Sequence, residues 1–143
     1  MKIKTTFILF SILILVASCK KDIPVPEEGL EHLFGKWTWV SSNGGLINQT
    51  TTPETENYII EIEYKKNGVF KKYKDGKKVN KMKFKFEKGQ TIFSVEDEYS
   101  IKYTIGKSKK VGVVPHYFQF IGTDTLVLKE ECFDCLTHIY VRK

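Results

Sequence analysis

The chain of 143 residues is long enough for one domain with a substantial hydrophobic core. Its formal net charge of +6 is only mildly basic, and no nucleic-acid-binding motif accompanies that charge, so we expect no nucleic-acid partner. The longest apolar run, which only Ser11 interrupts, covers residues 7–16 and is far shorter than the roughly 20 residues of a membrane-spanning helix.

Residues 1–18 have the organisation of a secretory signal peptide, with two lysines ahead of the apolar run and small residues after it. The stretch Leu15-Val16-Ala17-Ser18-Cys19 resembles the lipobox of bacterial lipoproteins. This resemblance implies that Cys19 is acylated and becomes the first residue of the mature chain, which would anchor the protein to a membrane without crossing it. In some bacterial lipoproteins an aspartate directly after the cysteine signals retention in the inner membrane. By the same resemblance, Lys20 at this position favours the outer membrane, on either its periplasmic face or the cell surface.

Residues 19–31 comprise the lipidated N-terminus and a polar segment that contains Pro24 and Pro26. Prolines without apolar periodicity predict an extended tether. The predicted folded domain covers residues 32–143.

Alternation of apolar and polar residues with a period of two dominates this domain and predicts half-buried strands. After a short turn or helix near residues 30–34 we expect a first strand around Trp37, followed by strands at 58–64, 69–74, 81–86, 91–95, 99–105, 116–121, 125–130 and 136–142. We place a polar loop at 42–57 and turns at 66–68, Asp75-Gly76, Lys88-Gly89 and 96–98. The expected fold is all-β, an antiparallel up-and-down barrel of about 8–9 strands, because closure removes the exposed edges of an open sheet.

Two motifs at the ends of the domain resemble a known family. Phe34-Gly35-Lys36-Trp37 opens the first strand with Gly-x-Trp, and the last strand ends in Tyr140-Val141-Arg142. This arrangement resembles lipocalins, and the mature chain resembles the small lipocalin-like lipoproteins of Gram-negative bacteria, which share the Gly44-Gly45 and Thr52-Pro53 stretches. The resemblance implies that Trp37 plugs the closed end of the barrel and that Arg142 packs on its indole ring. The barrel is shorter than most lipocalins, so the size of any cavity remains open.

The larger apolar side chains of each strand are expected to face the barrel interior, and two alternatives follow. They could line a cup for a small hydrophobic ligand, or they could fill a solid core. The candidate ligand-lining residues are Trp39, Ile60, Ile62, Tyr64, Phe84, Phe86, Tyr99, Tyr103, Phe118 and Phe120. Other residues expected inside are Met82, Ile101, Ile105, Leu126 and Leu128.

Eleven lysines lie within residues 65–88. Among them Lys81, Lys83 and Lys85 alternate with apolar residues, so all three are expected on one outer face. That face could contact anionic lipid headgroups or acidic glycans, or it could be a solvated surface whose lysines prevent edge-to-edge pairing.

The motif Cys132-Phe133-Asp134-Cys135 lies between two predicted strands rather than at the start of a helix. A structural disulfide across a hairpin tip is therefore favoured over redox catalysis. A zinc site would need two more ligands, and His116 and His138 have no recognisable spacing, so we expect no metal and no other cofactor.

No nucleophile, metal-hydrolase or phosphate-loop motif is present, and we expect no enzymatic activity. The sequence predicts a monomeric, lipid-anchored binding protein of the bacterial envelope. The alternative is a solid barrel that contacts glycan, headgroups or protein through its lysine-rich face or the 42–57 loop.

Overall fold

Alternating apolar residues produce a closed β-barrel in the computed structural model, which describes residues 21–104 and 114–143. The described chain contains the strands β1 (Gly35–Gly44), β2 (Gln49–Thr51), β3 (Ile60–Lys65), β4 (Val69–Lys74), β5 (Lys77–Thr91), β6 (Ser94–Thr104), β7 (His116–Ile121), β8 (Thr125–Glu130) and β9 (Leu136–Arg142). A 3₁₀ helix (Leu30–Leu33) precedes β1, and one short helix, α1 (Pro53–Glu56), follows β2. The prediction of an all-β, up-and-down antiparallel barrel is confirmed.

The barrel closes where β1 pairs with β9, from Trp37 opposite Arg142 to Gly44 opposite Leu136. The strands β1 and β3 to β9 form the eight-stranded ring, and β2 pairs with the end of β1 as an additional strand. Closure pairs the backbone groups that an open sheet would leave at its edges.

The interior contains the side chains that the period of two predicted. On β3, for example, Ile60, Ile62 and Tyr64 are buried, while Glu61 and Glu63 alternate with them. The described residues predicted to lie inside are buried or pack against the core: Ile60, Ile62, Tyr64, Met82, Phe84, Phe86, Tyr99, Ile101, Tyr103, Phe118, Phe120, Leu126 and Leu128. Ile105 lies outside the described residues.

Asp75 and Gly76 form the predicted tight hairpin between β4 and β5. Their φ angles are 50° and 74°, which is the combination that a two-residue hairpin turn requires. Lys74 pairs with Lys77 across this turn.

The turn predicted at Lys88-Gly89 is wrong, because β5 continues through it as one strand to Thr91. Gly89 pairs with Glu98, so this glycine lies within the pairing of β5 with β6 and not in a turn. The chain reverses between Thr91 and Ser94, inside the strand predicted at 91–95, and the acidic turn predicted at 96–98 belongs to β6. Pairing with a partner strand overrode the local turn signal.

The polar loop predicted at 42–57 is also partly wrong. Ser42 to Gly44 complete β1, and the remainder contains β2 and α1. Thr52 begins α1 with a capping box in which its side chain and that of Thr55 each accept a backbone N–H of the other residue.

The 3₁₀ helix closes one end of the barrel. The side chains of Leu33 and Trp37 are fully buried there, and Trp37 Nε1 donates to the Leu33 carbonyl at 2.9 Å. The N-terminal segment interpreted as a tether touches the barrel, since Ile23 N donates to the Lys66 carbonyl at 2.7 Å and its side chain packs against the core. Within residues 21–104 and 114–143 there is no helix with the length and apolarity to span a membrane.

Candidate functional site

The half of the barrel away from the 3₁₀ helix is hollow. It encloses a cavity of about 450 Å³. Asn80 and Leu136 line this cavity and are also exposed on the surface, so the cavity opens to solvent where β1 ends and β9 begins. We call this the open end. The lining comprises Trp39, Ser42, Thr51, Tyr58, Ile60, Ile62, Tyr64, Phe70, Lys72, Asn80, Met82, Tyr103, His116, Leu128, Glu130, Leu136, His138 and Tyr140.

A β-bulge in β1 determines which of its side chains enter the cavity. Trp39 pairs with Tyr140 and Ser41 pairs with Ile139, so Val40 is an extra residue in β1. A bulge of this kind reverses the inward and outward positions of the residues that follow it. Ser42 consequently lies inside the barrel and is only 5% exposed.

Four residues on the wall formed by β1, β9, β8 and β7 make a polar belt: Ser42, His138, Glu130 and His116. Trp39 Nε1 donates to Ser42 Oγ at 2.8 Å, and Ser42 Oγ shares a hydrogen bond of 2.6 Å with His138 Nδ1. His138 Nε2 lies 3.4 Å from Glu130 Oε1. Ser42, His138 and Glu130 are therefore linked by polar contacts in a largely apolar barrel.

His116 completes the belt opposite Glu130 on the β7–β8 ladder. Its Nδ1 atom is buried and has no hydrogen-bond partner among the described residues. Burial lowers the pKa of His116 to about 4, and the nearby His138 adds to the effect. Burial also lowers the pKa of His138, although its hydrogen bond to Glu130 opposes the change. Both imidazoles are consequently neutral at neutral pH and have a ring nitrogen that can accept a proton or bind a metal.

Two buried tyrosines, Tyr64 on β3 and Tyr103 on β6, also line the cavity. The hydroxyls of Tyr64 and Tyr103 lie 2.5 Å apart and hydrogen-bond to each other. The ring of Phe70 packs against both tyrosines at centroid distances of 5.0 and 5.2 Å. Burial raises the pKa of each tyrosine well above its usual value, so both stay neutral.

Among the residues that the structure describes, one cationic side chain lines the cavity. Lys72 lies on β4 two residues after the buried Phe70, at an inward-facing position. No carboxylate in the described ranges lies within 4.0 Å of its ammonium group. At the rim, the Lys74 ammonium lies 3.7 Å from the ring centroid of Tyr58, which stacks against Trp39.

The structure separates the predicted ligand-lining residues into two groups. Trp39, Ile60, Ile62, Tyr64 and Tyr103 line the cavity. The others lie away from it and fill the rest of the interior or its edge: Phe84, Phe86, Tyr99, Phe118 and Phe120. The two alternatives for the interior, a ligand cup and a solid core, therefore each describe one half of the barrel. The aromatic rings fill the end near the 3₁₀ helix and leave the open end hollow.

The aromatic fill is continuous at the closed end. Phe86 packs against Phe118 at a centroid distance of 6.0 Å, and Phe118 packs against Phe120 at 5.8 Å. Phe120 stacks on Trp37 at 6.2 Å, and the Arg142 guanidinium carbon lies 4.1 Å from the Trp37 ring centroid on the barrel's end.

The other predicted sites lie on the surface or outside the described ranges. Lys81, Lys83 and Lys85 are exposed on the outer face of β5, where Lys85 forms an ion pair of 2.9 Å with Glu87. The Cys132 and Cys135 sulfurs lie at bonding distance in the turn between β8 and β9, with their Cα atoms 5.5 Å apart. Cys19 is not among the described residues.

Comparisons with models of protein families, with curated proteins and with solved structures find no match to this chain.

Proposed function

We propose that this protein is a lipid-anchored envelope protein whose barrel binds a small amphipathic molecule in the cavity. One observation supports the binding role most directly. The barrel is filled at one end and hollow at the other, and the hollow end combines apolar walls with a few grouped polar side chains. Small-molecule sites in proteins usually have this composition.

The volume and chemistry of the cavity support a class of ligand. A volume of about 450 Å³ lies within the range of small-molecule sites. Ile60, Ile62 and Leu128 offer apolar contact to a hydrocarbon or ring system. Lys72 and the polar belt offer a cation and hydrogen-bonding groups to an acidic or carbonyl end. We therefore extend the sequence-based expectation of a hydrophobic ligand to one with an anionic or acceptor group at one end.

A matched pair of tryptophan substitutions tests this proposal. Ile60 lines the cavity and is 8% exposed, whereas its neighbour Ile59 is 52% exposed and lies outside the lining. Ile60→Trp should place a larger ring in the cavity and weaken binding of a fluorescent acidic probe such as dansyl-undecanoic acid, while Ile59→Trp should bind it as the wild-type protein does. Lys72→Met should weaken binding of the acidic probe more than binding of its methyl ester. Equal binding by both tryptophan variants, or no binding by the wild-type protein, would contradict the proposal.

The lysine face supports a second candidate function, contact with anionic headgroups or acidic glycans. Lys81 lies opposite Lys71, and Lys85 lies opposite Lys102, so cations from three strands share this outer face. Each lysine near an anionic surface contributes about 1 kcal/mol.

Charge reversal at matched positions tests the second candidate. Lys81, Lys83 and Lys85 changed together to Glu should abolish salt-sensitive flotation with anionic vesicles. The same reversal at the exposed Lys66, Lys77 and Lys78 should reduce it much less. Equal losses in the two triple variants would indicate a response to net charge alone and would refute a specific lysine face.

The anchor and the family relationship remain part of the proposal. Cys19→Ala should abolish incorporation of labelled palmitate and release the protein from membranes, whereas changing Cys132 and Cys135 to Ala should leave the label in place. Membrane association of the Cys19→Ala variant would contradict the anchor. The barrel topology and the contact of Arg142 with Trp37 support a relationship to lipocalin-like lipoproteins.

A further inference from the structure

Three strands bring a set of metal-ligating side chains together in the wall of the cavity. His116 lies directly opposite Glu130 across the β7–β8 ladder, and His138 lies opposite Leu128, one inward position away from Glu130. Each of His116, Glu130 and His138 has one ligand atom, and these three atoms lie within 4.8 Å of one another. The pairing of β7 with β8 continues past these side chains, because Glu131 N donates to the Pro115 carbonyl at 2.9 Å. Hydrogen bonds therefore hold the backbone on both sides of the cluster.

His116 has an unmet bonding requirement at this position. Its Nδ1 atom is buried without a hydrogen-bond partner among the described residues. Buried polar atoms in folded proteins nearly always have a partner, and a bound ion or an ordered water molecule is a common one.

Ser42 is placed to stabilise the His138 tautomer that metal binding at Nε2 requires. If Nε2 binds a metal, Nδ1 carries the proton and donates it to Ser42 Oγ, 2.6 Å away. Ser42 Oγ has two lone pairs and can also accept the Trp39 indole N–H at 2.8 Å. Metal-bound histidines are usually oriented by such a hydrogen bond from the second ring nitrogen.

We propose that His116, Glu130 and His138 form a binding site for a divalent transition-metal ion of the Zn²⁺ class, with a further coordination position open to the cavity. Two imidazoles and one carboxylate are an established donor set for zinc sites that keep an open position. Ligand atoms around tetrahedral zinc lie about 3.3 Å apart, close to the 3.4 Å between His138 Nε2 and Glu130 Oε1. Contraction of the widest pair by at most about 1.5 Å, through side-chain rotation, would complete the geometry.

The charges that face the site limit its affinity and predict the nature of its fourth ligand. Glu130 is the carboxylate of the donor set, while Lys72 lines the same cavity and opposes the binding of a cation. We therefore expect the metal alone to bind more weakly than it would at a site that no cation faces. An anionic group at the open position would be attracted by both the metal and Lys72.

A second set of donors shares Glu130 with the turn after β8. Glu130, Cys132 and Cys135 also place their ligand atoms within 4.8 Å of one another. The two sulfurs lie at bonding distance, and only thiolates bind metal, so this set requires a reduced protein. The test must distinguish the two sets.

The experiment uses the full chain, expressed with its own leader, purified without reductant and stripped of metal with a chelator. Titration with Zn²⁺ alone, followed by calorimetry, should give one ion bound per chain. His116→Asn and Glu130→Gln should each weaken binding at least about tenfold, and Ser42→Ala about 10- to 100-fold. His32→Asn is the matched control. Of the three histidines of the chain, His32 is the one outside the proposed site, and it lies in the 3₁₀ helix at the other end of the barrel. Circular dichroism of each variant checks that it folds.

Cobalt substitution identifies the donor atoms. Co²⁺ bound at the proposed site should show visible bands of a nitrogen- and oxygen-ligated ion without a thiolate charge-transfer band. Unchanged Zn²⁺ affinity in a folded His116→Asn variant, absence of binding by the wild-type protein, or binding that requires reductant and is lost in Cys135→Ser would overturn the proposal. Because the titration uses the metal alone, its failure would leave the proposed organic ligand unaffected.

Discussion

Arg142 should be one of the most important surface side chains for stability, because it covers the filled end of the barrel. Its guanidinium carbon lies 4.1 Å from the Trp37 ring centroid. The same guanidinium donates to the carbonyls of His32 at 2.7 Å, Thr123 at 3.2 Å and Phe34 at 3.3 Å. The side chain thus ties the last strand to the 3₁₀ helix and to the β7–β8 turn.

Arg142→Met should lower the free energy of unfolding by about 2–5 kcal/mol. The cation–π contact contributes about 0.5–2 kcal/mol, and each hydrogen bond at this partly exposed position contributes about 0.5–1 kcal/mol. Arg142→Lys should recover less than half of the loss, because an ammonium group cannot donate to three carbonyls from one plane. Guanidinium chloride unfolding, followed by far-ultraviolet circular dichroism, measures these differences.

Lys143→Met is the matched control, since it removes the neighbouring positive charge and the ion pair with Glu61. An exposed ion pair of that kind contributes at most about 1 kcal/mol. If Arg142→Met cost no more than Lys143→Met, or if Arg142→Lys were as stable as the wild-type protein, the planar guanidinium would not be what closes this end.

Two further predictions concern backbone strain and alkaline stability. Gly44 has a φ of 121°, and a Cβ atom there would lie 2.5 Å from the Cys135 carbonyl oxygen, so Gly44→Ala should cost at least about 1–3 kcal/mol in urea unfolding. Gly45→Ala, with no atom within 4 Å, is the control, and equal costs would refute the close contact. Burial raises the pKa of Tyr64 and Tyr103. Their contribution to the free energy of unfolding is therefore complete below the unfolded pKa of about 10. Above that pH it decreases by up to about 1.4 kcal/mol per pH unit for each tyrosine. Tyr64→Phe should reduce this alkaline slope, measured by urea unfolding across pH, and an unchanged slope would contradict the burial argument.

The strands and their inward faces could be predicted because the alternation of apolar and polar residues within each strand indicates which side chains are buried. Met82 and Phe84 alternate with Lys81, Lys83 and Lys85, and no other part of the chain is needed to interpret that pattern. The turn at Gly89 could not be predicted correctly, because its pairing with Glu98 depends on a partner strand whose register was unknown.

The polar belt could not be predicted because its members come from strands far apart in sequence. Ser42 and His138 are separated by 96 positions. Strict alternation from Trp39 places Ser41 inward, and only the bulge at Val40 brings Ser42 inside. A weaker signal was available, because alternation within β8 and β9 predicts that Glu130 and His138 face inward, near the open end.

The division of the barrel into two halves depends on how side chains from several strands meet. The sequence shows which residues face inward, but not which of them share a level along the barrel axis. Phe86 and Tyr64 have the same pattern in the sequence, yet Phe86 packs among the rings of the filled half and Tyr64 lines the cavity. The register of the pairing strands decides between these two positions.

Native mass spectrometry of the protein isolated from the cells that produce it, followed by denaturation and analysis of what is released, tests the central claim most directly. We expect the wild-type and Ile59→Trp proteins to release a small molecule with an apolar body and an acidic or carbonyl group, and the Ile60→Trp protein to release much less of it. A bare chain mass for the wild-type protein, or release of equal amounts by Ile60→Trp, would contradict a ligand-binding cavity.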